Sequence, residues 1–97
     1  MGGYAMANQV VLKRNPEVVS SVLDGEVLLF DEVQGLYFGM NEVGSYIWQL
    51  LESPQHIQQI NENLVSAFDV TPEQCAEDVN KFIHQMQEKK LIEVVCS

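Results

Sequence analysis

The stretch Gly25–Gly44, GEVLLFDEVQGLYFGMNEVG, constrains this chain more than any other. Two short runs rich in β-branched, aliphatic and aromatic residues, Glu26–Phe30 and Leu36–Met40, flank a polar corner at Asp31–Gly35. That is the pattern of a β-hairpin with a short loop. In the second run Leu36, Phe38 and Met40 share one face, and Tyr37 and Gly39 share the other. One face suits a core, while the other sets an aromatic ring beside bare backbone. Asn41 stops the strand and suits a helix N-cap, with Glu42 in a first turn that favours acids. The pattern downstream is almost all helical, so the outer edge of this strand has few local partners. An unpaired edge is a liability or a docking site.

The rest of the chain arranges itself around that hairpin. Residues 1–9 read as a frayed tail without periodicity, and 1–17 as an N-terminal tail or arm. Val10–Arg14 reads as a short strand or an ordered arm, broken by Asn15-Pro16. Val18–Leu23 is a further apolar run, and Asp24-Gly25 after it is a strong hairpin turn. Val18–Leu23, Glu26–Phe30 and Leu36–Met40 therefore form a three-stranded antiparallel meander. Helix one runs from about Glu42 to Glu52, burying Val43, Ile47, Leu50 and Leu51 at helical spacing. Ser53-Pro54 ends it, and helix two takes in about Gln55–Phe68. Thr71-Pro72-Glu73 starts helix three with a Thr cap, Pro in the first turn and an acid after it. That helix continues to about Lys90, and Leu91–Val95 reads as a closing strand or an extended tail. The fold class is α+β: a winged-helix-like domain over 18–95, with a three-stranded antiparallel sheet followed by three helices.

Fourteen acidic residues against five basic ones give a net charge of −9. That argues against nucleic acid, whose phosphates are neutralised by Lys and Arg. The exposed positions of helix three, among them Glu73, Glu77, Asp78 and Glu88, are poorly suited to a DNA groove. No apolar run reaches a membrane span, and the N-terminus has neither a signal-peptide pattern nor a myristoylation pattern. The expected setting is the cytoplasm. Cys75 and Cys96 form no CxxC pair, and two histidines complete no zinc pattern, so reduced thiols and no metal are expected. His56 and His84 read as surface residues, and no nucleophile elbow, triad, GxGxxG or P-loop occurs. No catalytic residue and no cofactor is expected.

Leu28-Leu29, Asp31, Gly35-x-Tyr37, Asn41, Gly44 and Ile47-Trp48 follow one another at set spacings. Leu64…Phe68-x-Val70, Asp78-Val79, Phe82-Ile83, Met86 and Leu91-Ile92 come after them. This ordered set, over about Gly25–Ile92, resembles the PqqD family of leader-peptide recognition elements. In free-standing form it looks most like the B1-type proteins of lasso-peptide biosynthesis. Met40 stands where relatives often carry Leu, and Ser53-Pro54 where many carry an acid and a Gly. These departures leave the fold untouched.

The resemblance implies a non-catalytic adaptor that binds a precursor's leader peptide by β-strand addition and delivers it to a processing enzyme. A lasso-type leader peptidase is the first choice of enzyme. The alternatives are a PqqD-type peptide chaperone for a radical SAM enzyme and a winged-helix oligomerisation module that pairs weakly with its own copy through the edge strand. The implied peptide-binding residues are Val33, Gln34, Gly35, Leu36, Tyr37, Phe38 and Gly39 on the strand and its turn. Asp78, Val79, Lys81, Phe82, Gln85 and Met86 join them from helix three. The sequence leaves both flanks of the helix-three apolar stripe as candidates for the cleft side.

Overall fold

The computed structural model describes residues 10–96, so the tail expected over 1–9 lies outside the described residues. Among the described residues six strands and three helices follow in the order β1 (Val10–Arg14), β2 (Val18–Leu23), β3 (Glu26–Asp31), β4 (Leu36–Gly39), α1 (Glu42–Leu50), β5 (Gln55–His56), α2 (Ile57–Ala67), α3 (Pro72–Glu88) and β6 (Ile92–Cys96). The strands form two antiparallel three-stranded sheets, ordered β2-β3-β4 and β5-β1-β6.

Local chemistry explains the first sheet. Leu23 pairs with Glu26 across the two residues Asp24 and Gly25, which take φ of 54° and 82°. Two successive positive φ values define the tight turn whose twist matches its strands, and an Asp-Gly pair suits it. The second hairpin turns through Glu32–Gly35, where Asp31 binds back onto the turn. Its Oδ1 accepts from the N–H of Val33 at 2.9 Å and of Gln34 at 3.2 Å, and its Oδ2 accepts from Gln34 Nε2 at 2.7 Å. Asp31 is buried. The Gln34 side chain, then the Gln34 and Val33 backbone N–H groups, hold its carboxyl below the usual carboxylate range, with burial opposing them.

The helices start where their caps place them. Asn41 Oδ1 accepts from Gly44 N–H at 2.7 Å, and Thr71 Oγ1 from Gln74 N–H at 3.1 Å. Helix α3 ends in a six-to-one closure, Leu91 N–H to Met86 carbonyl at 2.8 Å, with Lys90 N–H to Gln87 carbonyl at 3.0 Å inside it. Lys90 takes the left-handed position, φ 61°, where glycine is usual. The start of helix two shifts from the expected Gln55 to Ile57. Gln55–His56 pairs with Leu12 and Val11 instead, and His56 stays extended as the residue before the helix.

The second sheet settles what Val10–Arg14 and the closing stretch do. β1 runs antiparallel to β6 from Val10↔Cys96 to Arg14↔Ile92. Val10–Arg14 of the N-terminal arm is therefore a sheet strand, and its Leu12 is wholly buried. Arg14 donates to the Trp48 carbonyl at 2.6 and 3.1 Å while its guanidinium lies 4.6 Å from the ring centre. That contact ties the second sheet to α1. One core unites Leu12, Leu29, Ile47, Trp48, Ile60, Leu64, Val79, Met86 and Leu91. Cys75 is a free thiol buried in it, and burial, then Asp78, pushes its pKa up.

Candidate functional site

The order β2-β3-β4 leaves β4 at a sheet edge. The phase of its hydrogen bonds follows from one link, Met40 N–H to the Val27 carbonyl at 2.9 Å. Since backbone groups alternate along a strand, Phe38 and Leu36 also aim theirs at β3. Tyr37 and Gly39 aim their N–H and C=O outward, where no described strand pairs with them. The same link carries a substitution in its ladder. Val27 N–H donates to Ser45 Oγ at 3.0 Å, and that hydroxyl lies 3.3 Å from the Met40 carbonyl it can donate to. A buried side chain of α1 thus completes the β3–β4 pair where β4 turns into the helix.

Beside this edge stands α3. Between them lies a cleft of about 390 Å³, lined by Gly39, Met40, Asn41, Val43, Gly44, Asp78, Lys81, Phe82, Gln85, Met86 and Lys89. Its depth comes from close packing at Gly44. A Cβ there would stand 3.1 Å from Asn41 Oδ1 and 3.6 Å from Phe82 Cε1. Around Gly39, by contrast, a Cβ would meet nothing within 4 Å. An extended chain therefore has room to approach. Lys89 lies over Phe38, its Nζ 5.7 Å from the ring centre.

Of the residues expected from the sequence, Gly39, Asp78, Lys81, Phe82, Gln85 and Met86 are brought together on the cleft. The flank of α3 that faces it carries two adjacent rows, Asp78–Phe82–Met86 and Lys81–Gln85–Lys89. Phe38 is half-buried beneath Lys89. Val33, Gln34 and Gly35 form the turn, away from the lining. Leu36 is exposed beside them. Tyr37 belongs to the opposite face of the sheet, its ring 4.6 Å from that of Phe30. Val79 is buried in the core. Sequence reasoning passed over Met40, Asn41, Val43, Gly44 and Lys89 as lining residues, and Ser45 as a ladder component. The role of Gly44 has no local signal, because its contact is with Phe82, 38 positions on.

The family described as "Coenzyme PQQ synthesis protein D (PqqD)" matches residues 26–92. This chain belongs to the PqqD family. The match begins at β3 and ends at the first residue of β6, so it spans β4, α3 and the cleft between them. Among solved structures, "TbiB1 in complex with the TbiA(beta) leader peptide" is 33% identical with a TM-score of 0.79, covering 84% of this chain and 94% of that one. A lasso peptide synthetase B1 complexed with the leader peptide has a TM-score of 0.74 at 20% identity, covering 84% and 96%. The second supports the fold alone. No curated protein matches the sequence. Among the described residues no helix is long and apolar enough to cross a membrane, and no three His, Cys, Asp or Glu side chains gather to hold a metal ion.

Proposed function

We propose that this protein is a leader-peptide-binding adaptor. It takes the leader of a ribosomally made precursor as a further strand on β4 and presents the precursor to a separate processing enzyme, a lasso-type leader peptidase. The carrying observation is the juxtaposition of an outward-facing edge at Tyr37 and Gly39 with the cleft walled by α3. β-Augmentation needs both parts, since main-chain bonds give affinity and side-chain pockets give selection. Similarity to a B1 protein whose structure holds a leader peptide supports the same assignment. The adaptor is non-catalytic in this reading. The Cys75 thiol is buried with a raised pKa, a poor nucleophile, and both histidines are exposed. The encounter belongs in the cytoplasm, where such precursors are made.

Fluorescence polarisation with the labelled leader of the precursor encoded beside this protein tests the assignment. Saturable binding to the wild type, lost in Gly39→Pro while that variant keeps its fold, is the expected result. Leader cleavage by the partner peptidase should accelerate when the wild-type protein is added. Undiminished binding to Gly39→Pro moves the site elsewhere. Failure to bind the leader, with or without the peptidase, overturns the function.

A further inference from the structure

Charge is laid along the cleft in one direction. The sequence contains no lysine or arginine between Arg14 and Lys81, yet Lys81 and Lys89 both line this cleft. In a chain of net charge −9 they are a local exception. Two contacts fix how α3 lies against β4. At one end Phe82 reaches the start of α1, 3.6 Å from where a Cβ on Gly44 would stand. At the other end Lys89 lies over Phe38, and its carbonyl accepts from Gln34 Nε2 at 3.5 Å. The cleft thus runs from an apolar end over Gly44, where Lys81 stands one helix turn from Asp78 and offsets its charge, to a cationic end at Lys89 near the start of β4. The ion pair found among the described residues, Lys13–Glu93, lies on the other sheet. The Lys89 ammonium rests on an aromatic face, a weak contact that a carboxylate readily displaces.

We propose that the cleft selects a peptide strand carrying a carboxylate side chain two or four residues from an apolar one. The apolar side chain fills the space over Gly44, and the carboxylate pairs with Lys89. This rests on the strand-addition reading and adds a charge rule to it. Phe82 and Lys89 are seven helix positions apart, about 10 Å. That equals about three strand residues, and side chains on one strand face are an even number apart. Order reports direction. The acid follows the apolar residue in a strand antiparallel to β4 and precedes it in a parallel one.

A displayed library of random peptides, sorted on the purified protein at low salt, tests the rule. The expected winners carry Asp or Glu at a fixed even offset from an aliphatic or aromatic residue. Changing that acid to its amide weakens binding by about tenfold, as does Lys89→Gln. Lys89→Glu weakens it further, and changing the peptide's acid to lysine restores part of the loss. Winners indifferent to the acid, to Lys89→Gln and to salt, but lost on Gly39→Pro, overturn the charge rule and leave strand addition standing. Winners that bind Gly39→Pro as well as wild type overturn both, and so does a library with no enrichment.

Discussion

The β2-β3-β4 sheet has two outer edges, and they differ in what stands beside them. By the alternation of hydrogen bonds, β4 turns the backbone of Tyr37 and Gly39 outward, while β2 turns that of Ser20 and Val22 outward. Both edges offer the same groups. β4, however, faces a cleft walled by Phe82 and Met86, with Lys89 over Phe38. β2 is exposed from Val19 to Leu23, with Val22 at 56% and Leu23 at 63%. Main-chain groups pair with any extended chain, so an edge selects nothing until a wall reads side chains. In this fold α3 provides that wall for one edge.

The most severe test of that contrast is a pair of proline substitutions. Gly39→Pro removes an outward N–H and places a ring where the added strand would lie, so leader affinity should fall by about 100-fold. Ser20→Pro removes an outward N–H from the other edge and should leave affinity unchanged in the same polarisation titration. Equal losses would erase the distinction between the edges. Next in size, Ser45→Ala deletes the hydroxyl that links Val27 to Met40. It should cost about 1–3 kcal/mol in denaturant melts, because a buried N–H loses its partner. Amide exchange should quicken at Met40 and not along β2.

A smaller effect concerns the turn that introduces β4. Asp31 has a folded pKa below its unfolded value, so its contribution is present above about pH 4 and is lost as pH falls through the lowered value. Asp31→Asn should flatten the acid limb of a stability-versus-pH curve. A variant with an unchanged limb would show that the turn draws nothing from this charge. Least of all, Lys90→Gly relieves the left-handed residue after α3 and should raise stability by about 0.5–1 kcal/mol. Leader affinity should stay constant, since the wall is secured without a change in its lining.

Features written into consecutive residues were legible in the sequence. Asp24-Gly25, the Asn41 cap and the Thr71-Pro72 start all act within a few positions, and the structure places them as their chemistry requires. The pairing of β1 with β6 was not legible, because its partners come from opposite ends of the chain and short apolar runs fit many mates. The two-residue strand β5 was absorbed into helix two, since a pair of residues has no period. On α3, hydrophobic spacing marked the buried stripe but could not say which flank met β4. That depends on Phe82 seating against Gly44, a contact made by the absence of a side chain.

The brevity of β4 has a further consequence. Four residues long, it turns only alternate ones outward, so a visiting strand gains about four main-chain hydrogen bonds, each worth about 1 kcal/mol net. Micromolar affinity requires about 8 kcal/mol beyond the entropy of association. Backbone alone therefore cannot hold a stray strand, and unpaired segments of unfolded neighbours slip off. The stub resists acting as a seed for aggregation while staying open to traffic.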